Sequence, residues 1–520
     1  MSPAPASQDD DQINHLHDDS QGVPTIEVFS APADQSFDEV PQNHLSVKAE
    51  SYRGQDLNVD GSAGSRATTD DDEVSPEKFL TGRHKPPNRH ESPGIDPTKA
   101  SKVFRTMHRF ILYETATRFY LVGQDLLEKH FRVLKIDRTS PPGLLNIFED
   151  KNVYDRQSIN ELLTTIEDGN RGSGGFKVKC SSWGVLGFIR ITEAYYMILI
   201  TKRTQAAMIG GHYVYQIEAT ELVPLTTGST SRFQRDRNPE EARYLGILQN
   251  LDLTKFFYFS YSYNITRSLQ ENICRQRSDA NQQMDTKSRY WNDMFVWNHH
   301  LLVPAQGALK NPYDWCLPVI HGYVEQCCKF VLCFNISIDL SLMDRIALDV
   351  LGRPIYITII ARRSRFFAGA RYLKRGANDR GYVANDVETE QIVSDAVTTS
   401  FHAPGPTFFS SPNYSSYVQH RGSIPLHWSQ DNSGVTPKPD IDINPIDPFY
   451  SAAALHFNNL FKRYGAPVYV LNLIKARERT PRESKLLQEF QRAIKFLNQS
   501  LPERKKILYK AFDMSRAAKT

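Results

Sequence analysis

The chain has no run of about 20 apolar residues, the length a helix needs to cross a bilayer, so nothing in its sequence reads as a membrane span. It lacks an apolar stretch near the N-terminus, which argues against a secretory signal, and it shows no C-terminal lipidation box. Cysteine is scarce, 6 in 520 residues, too few for a disulfide framework and in keeping with a reducing compartment. Charge of one sign is lacking too. The 62 lysines and arginines stand against 59 aspartates and glutamates, a net charge of +3. That balance argues against bulk nucleic-acid binding and requires any basic site to be local.

Such a local site is present. Residues 361–393 read ARRSRFFAGARYLKRGANDRGYVANDVETEQIV. Arg362, Arg363, Arg365, Arg371, Lys374 and Arg375 come first, punctuated by Gly369, Gly376 and Gly381. Asn385, Asp386, Glu388 and Glu390 follow. Guanidinium forks bind phosphate oxygens bidentately, and glycines let backbone approach a ligand closely. Asn and Glu side chains hold such arginines in place or bond to sugar-like hydroxyls. On composition alone the competing reading is a charged, solvated hairpin.

The rest of the chain frames this stretch. Residues 1–100 are rich in Asp, Ser, Pro, Gln and His, and read as a disordered acidic tail unable to offset its ordering entropy. From Val103 the pattern is strand-rich, with Gly210-Gly211 as a turn. Lys202-Arg203 reads as a hairpin end, and residues 226–241 as a polar surface insert. The runs 329–338 and 354–361 read as strands separated by a short helix, with a loop from Arg362 onward just beyond a strand end, where α/β sheets bind ligands. Residues 398–417 and 431–448 read as connections. Ser451–Tyr464 reads as a helix closed by Gly465, and 467–474 as a buried strand. Thr480-Pro481-Arg482-Glu483 reads as a capped helix start, followed by a face of Leu486, Leu487, Phe490, Ile494 and Leu497. A last helix is expected over 502–519. His299, His300, His321, Cys327 and Cys328 lie close in sequence, but they meet no common zinc-site spacing, and no metal site is assigned.

Residues 361–393 closely resemble the signature of Sac-domain phosphoinositide phosphatases, roughly RRSRxxAGxRYxxRGxxxxGxVANxVETEQ. A second stretch, SYVQHRGSIPLHWSQ at 416–430, is similar to that family's YxQxRGSIPLxWSQ. The segments GFIRITEAYYMILITKR at 187–203, FFYFSYSYNITRSLQ at 256–270 and WCLPVIHGYVEQC at 315–327 resemble further family patterns. The resemblance implies a β-rich Sac N-terminal module over 101–290 and the front part of an α/β Cys-based phosphatase domain over 291–520. It implies that Arg362, Arg363, Arg365, Arg371, Lys374, Arg375 and Arg421 face a phosphoinositide headgroup. Asn385, Glu388, Glu390 and Trp428 are the expected supporting residues, with core packing as the competing role for Trp428.

The same family uses a Cys-x5-Arg loop, whose thiolate attacks phosphorus with its pKa lowered by a helix N-terminus and the Arg. Six positions after Cys180, Cys274, Cys316, Cys327, Cys328 and Cys333 stand Leu186, Ala280, Gly322, Cys333, Phe334 and Asp339. None is Arg, so no catalytic residue is assigned. The sequence reads as stopping short of that loop, which in family members follows a segment like KAFDMSRAAK at 510–519. The chain is therefore expected to be inactive alone.

The resemblance is nearest to the branch of phosphatidylinositol 3,5-bisphosphate 5-phosphatases. That branch implies a cytosolic protein recruited to vacuolar or late endosomal membrane, with a phosphatidylinositol 3-phosphate 5-kinase and its helical-repeat scaffold as partners. A phosphatidylinositol 4-phosphate phosphatase and a non-catalytic scaffold component are the alternatives. No cofactor is evident. Magnesium enters by resemblance only, since no carboxylate constellation in the sequence shows it.

Overall fold

The computed structural model describes residues 107–141, 143–226, 239–281, 291–327, 348–350, 353–369, 374–403, 409–430, 439–444 and 447–518. The tail over 1–100, the strand expected at 329–338 and Arg371 lie outside the described residues.

A first sheet carries β1 (Arg109–Glu114), β2 (Arg118–Gln124), β3 (Phe131–Asp137), β4 (Ile147–Glu149) and β5 (Lys177–Ser182) in the order β4-β3-β2-β1-β5. Helix α1 (Arg156–Asn170) is capped by the Asp155 carboxylate, which accepts from the Ser158 amide at 2.8 Å. The second, nine-stranded sheet begins with β6 (Gly184–Arg190), β7 (Tyr195–Ile209), β8 (His212–Pro224), β9 (Phe257–Phe259) and β10 (Ile320–Cys327). It continues through β11 (Leu348–Val350), β12 (Arg353–Arg363) and β13 (Val387–Ser394). After the hairpin of β14 (His402–Ala403) and β15 (Phe409–Ser410), it ends in β16 (Tyr414–Arg421). Its order is β16-β13-β12-β10-β9-β8-β7-β6, with β11 on β12. Strands from either side of residue 290 thus share one sheet. The remaining helices of this region are α2 (Pro239–Gln249), α3 (Leu269–Asn281) and α4 (His299–Gln306).

The two large sheets are packed around three apolar clusters. Phe110, Leu121, Ile136, Phe188, Leu199 and Trp315 fill the space between the two sheets. Ile189, Ile198, Phe259 and Leu317 pack the other side of β6–β8, against Leu245 and Leu248 of α2. Tyr258, Ile320, Ile360 and Ile392 join Leu269 and Ile273 of α3 in the third. β6 is buried at every position but its last, as its unbroken apolar run requires.

The C-terminal part pairs β17 (Trp428–Gln430) with β18 (Ile441–Ile443), and β19 (Val468–Asn472) with β20 (Ile507–Ala511), around α5 (Ser451–Tyr464) and α6 (Glu483–Ser500). Met514–Ala517 forms a short α7. β19 and β20 are parallel, joined by α6 as a crossover. The other named strand pairs among the described residues are antiparallel. The chain is a strand-rich, mixed α/β fold. In α6, Leu486, Leu487, Phe490 and Ile494 are buried along one face at helical spacing.

Several sequence expectations give way. Lys202 and Arg203 lie in the middle of β7, not at a hairpin end. The Arg203 guanidinium sits over Trp183 and Tyr215, 4.2 and 3.8 Å from the ring centroids. Leu348–Val350, expected in a helix, is a strand edge on β12. Arg362 and Arg363 are strand residues, not loop, and their ladder is antiparallel. Tyr414 onward and Ile441–Ile443 are strands rather than connections.

β19 is not buried on both faces, since Tyr469 is 76% exposed. Thr480 does not cap α6. The Glu478 carboxylate takes the amides of Arg482 and Ser484 at 2.9 and 3.2 Å instead. The helix expected over 502–519 is broken up: a 3-10 turn at Glu503–Lys505, then β20, and only Met514–Ala517 as α-helix. β-prone Ile507, Leu508 and Tyr509 pair with β19, and Asn498 of α6 bonds both the amide and the carbonyl of Ile507 at 2.9 Å.

Candidate functional site

β12 ends in two arginines, and a strand sends successive side chains to opposite faces. Arg362 and Arg363 therefore part company. Register places Arg363, Val387 and Arg421 on one rung across β12, β13 and β16. The adjacent rung carries Arg362, Glu388 and His420.

The Arg363 rung opens onto a cleft of about 510 Å³. Arg363, Arg375 and Arg421 line it, together with Asn385, His321 and Phe256. No carboxylate lines it among the described residues. Arg421 is exposed at the end of β16. Arg363 is half-buried, and burial lowers its pKa. One of its nitrogens donates to the Gly369 carbonyl at 2.6 Å. His321 stacks on Phe257 at 4.9 Å. Burial, then the charge of Arg363, pulls its pKa down to about 4, so it is neutral at pH 7.

Arg375 arrives from a different segment and is held in place. Its guanidinium lies 5.7 Å from the centroid of the Trp428 ring, and its Nε donates to Gln430 Oε1 at 3.0 Å. The following Gly376 has φ +70°, with the backbone of Leu426 and Trp428 so close that a Cβ would come within 2.5 Å of Leu426 O. Its amide donates to the Ser423 hydroxyl at 2.9 Å, and the Ser423 amide donates to the Ala384 carbonyl at 2.8 Å. The Arg-Gly-Ser triplet at 421–423 thus supplies both a cation and the staple for a second one. Asn385 lines the cleft with φ +56°, the left-handed region where Asn is tolerated.

The opposite face of the same strands is closed. Arg362 has no exposed surface. It pairs with Glu390 at 2.6 Å and Glu388 at 3.2 Å, and donates to the carbonyls of Ile265 and Arg267 at 2.6 and 2.8 Å. Burial opposes its charge, but the two glutamates outweigh burial and raise its pKa. Glu390 Oε1 also accepts from the Leu269 amide and the Ser416 hydroxyl, each at 2.7 Å. Beside this group, His420 Nε2 meets Asp386 Oδ1 at 2.9 Å, and the Tyr464 hydroxyl donates to Glu388. Burial raises the Asp386 pKa, but its bond and charge interaction with His420 prevail and lower it.

The arginines of the sequence motif therefore split. Arg363, Arg375 and Arg421 converge on the cleft with Asn385. Arg362 does not face a ligand: it is a buried crosslink, and Glu388 and Glu390 support it rather than the cleft. Arg365 lies over the Phe366 ring and pairs with Asp293, tethering the segment before α4. Lys374 lies 5.3 Å from the Phe367 ring, and neither it nor Arg365 lines the cleft. Trp428 packs against the C-terminal core, with the Arg375 guanidinium over its ring.

Sequence reasoning assigned no ligand role to Phe256, His321 or Ser423. The available signal was their place inside the family-like segments. Cys180 and Cys316 are far from nucleophilic, since burial pushes each thiol up to about 12. Neither they nor Cys274 line the cleft.

Three guanidiniums and a neutral imidazole, with no carboxylate among the described residues, line this cleft on a mixed α/β fold. Residues 183–519 match the family described as the SacI homology domain, and the chain belongs to that family. It is 40% identical over 411 residues to a polyphosphoinositide phosphatase of Schizosaccharomyces pombe, covering 79% of this chain and 45% of that protein. It is also 40% identical over 414 residues to phosphatidylinositol-3-phosphatase SAC1 of Arabidopsis thaliana, covering 80% and 41%. A third relative, phosphoinositide phosphatase SAC3 of the same plant, is 40% identical over 417 residues, covering 80% and 46%. The chain thus spans less than half the length of these curated relatives. No helix among the described residues is long and apolar enough to cross a membrane.

Proposed function

We propose that the chain is the substrate-recognition part of a phosphoinositide phosphatase, and that the cleft of Arg363, Arg375 and Arg421 receives the phosphorylated headgroup. The convergence of three guanidiniums from separate segments, with no carboxylate lining the cleft among the described residues, carries this reading. Guanidiniums hold phosphate oxygens in fixed geometry and offset charge as it builds on a transferring phosphoryl group. The substrate is phosphatidylinositol 3,5-bisphosphate and the bond broken is the 5-phosphate ester. A thiolate displaces the inositol oxygen from phosphorus, and water then releases phosphate from the cysteinyl intermediate. That thiolate belongs to a Cys-x5-Arg loop, which the 520 residues do not contain. The chain alone therefore binds without turnover.

A second reading has the chain serve as a scaffold component of a complex with the phosphatidylinositol 3-phosphate 5-kinase and its helical-repeat partner at the vacuolar or late endosomal membrane. Two measurements separate these readings. Vesicles bearing mono- and bisphosphorylated phosphoinositides are assayed for binding and for phosphate release by this chain. Binding with preference for the bisphosphate, lost when Arg363, Arg375 and Arg421 are replaced by Gln, supports the substrate reading, and binding indifferent to those changes defeats it. The intact mass of the native protein is the second. A mass well above 59.4 kDa favours an enzyme with the loop, and a mass of that value favours the scaffold.

A further inference from the structure

Phe256 is half-exposed, at 51%, and has φ +69°. A bulky residue in the left-handed region is a genuine outlier, and such strain persists only where the surroundings impose it. Here they do. The Gly322 amide donates to the Phe256 carbonyl at 2.8 Å. The next residue, Phe257, is buried and packed against Trp297 and His321, with ring centroids at 4.6 and 4.9 Å. Phe257 is thereby locked inward while Phe256 stays at the cleft. Glycine would take this backbone without strain and remove an exposed aromatic, yet the chain carries Phe.

Phe256 lines the same cleft as the three arginines. Among the described residues, the only other non-glycine residue of left-handed backbone lining it is Asn385. The arginines supply charge for phosphate oxygens. An aromatic face supplies what they cannot, an apolar surface for carbon. A ligand that uses both carries phosphate groups on a ring with a carbon–hydrogen face.

We propose that Phe256 is a specificity-determining residue, its ring forming the platform on which the carbon face of a phosphorylated cyclic polyol lies while the arginines hold the phosphates. This rests on the anion-site reading of the cleft. It adds that the cleft distinguishes an inositol phosphate from inorganic phosphate and does so through one side chain held on a strained backbone.

The test compares wild type with Phe256→Gly, Phe256→Tyr and Arg421→Gln in the full chain. Affinities are measured for a soluble inositol trisphosphate, for inorganic phosphate as a competitor and for phosphoinositide vesicles, alongside thermal melting. Phe256→Gly is expected to weaken inositol trisphosphate and vesicle binding about fivefold, to leave phosphate binding unchanged and not to lower the melting temperature. Phe256→Tyr restores affinity. Unchanged inositol trisphosphate binding in Phe256→Gly overturns the platform, and so does an equal loss for inorganic phosphate. A loss confined to vesicles assigns the ring to the bilayer and overturns it as well. Arg421→Gln separates the two levels. Binding that responds to Arg421 but not Phe256 removes the platform alone, while binding that ignores Arg421, or is absent in wild type, removes the anion site and the platform with it.

Discussion

Arg362 and Arg363 are neighbours of identical chemistry on one strand, and they do opposite things. Arg362 is wholly buried, tied to two glutamates and two carbonyls. Arg363 faces the cleft with Arg375 and Arg421. A single residue step along a strand turns a cleft-facing cation into a structural crosslink. Charge density in a sequence thus measures neither function nor exposure until the strand register is known.

The comparison breaks most sharply at Arg362. Replacing it with Met strands Glu388 and Glu390, which are 4% and 0% exposed, as unpaired buried acids. Removing one partner of a buried ion pair costs about 3–5 kcal/mol, so R362M should lower unfolding stability by that order in urea titrations. A loss under about 1 kcal/mol would mean that the network relaxes or takes in water, and that Arg362 is not the crosslink described here.

Acid attacks the closed face next. His456 of α5 is buried, and burial followed by the nearby His420 charge pulls its pKa down to about 3, with Asp386 and Arg463 also facing it. Unfolded, the same imidazole titrates near 6.5. The unfolded state therefore binds more protons between those values, and stability present above about pH 6.5 is lost as pH falls toward 3. His321, which lines the cleft and is depressed to about 4, adds a loss between about pH 6.5 and 4. The lowered Asp386 extends it below about pH 4, where the unfolded carboxyl gains its proton first. Each histidine contributes a slope of at most about 1.4 kcal/mol per pH unit. In denaturant midpoints measured from pH 7 to 4, His456→Gln should flatten the decline by up to one such slope. An unchanged slope would place the titration elsewhere.

The open face behaves differently. Arg421→Gln should leave stability within about 0.5 kcal/mol, as for a surface change. It should weaken binding to phosphoinositide vesicles about tenfold, the worth of a bond to a charged group. Titration at two ionic strengths checks it. A variant that loses stability but keeps affinity would reverse the roles assigned to the two faces.

Much of this was legible beforehand and some was not, for definite reasons. The two long motifs located the region, and the strand-rich pattern with its Gly210-Gly211 turn marked β7 and β8. The motif did not separate its own arginines, because the separation depends on β12 running through Arg363 rather than stopping before Arg362. The two final strands were obscured by local signals. β19 is an apolar run, which reads as doubly buried although one face alone is covered among the described residues. β20 lies in a lysine- and alanine-rich stretch of good helix formers, and its strand state comes from parallel pairing and from Asn498, a contact no local pattern contains. Phe256 escaped attention because its backbone strain has no sequence signature in a segment rich in aromatics.

The smallest test concerns how the two faces are joined. Tyr464 closes α5 and its hydroxyl donates to Glu388, on the rung beside Arg363, Val387 and Arg421. Tyr464→Phe removes one hydrogen bond while Glu388 keeps Arg362, so the expected cost is about 1 kcal/mol, the net worth of a typical intramolecular hydrogen bond. Affinity for phosphoinositide vesicles should hold, because the strand register that sets Arg363 and Arg421 is held by backbone ladders. A combined R362M/Y464F variant sharpens the point. If both act through Glu388, their stability losses should fall short of additive by more than about 0.5 kcal/mol in a double-mutant cycle. Simple additivity would mean that Tyr464 and Arg362 stabilise separate parts of the molecule, and that the closed face is two contacts rather than one network.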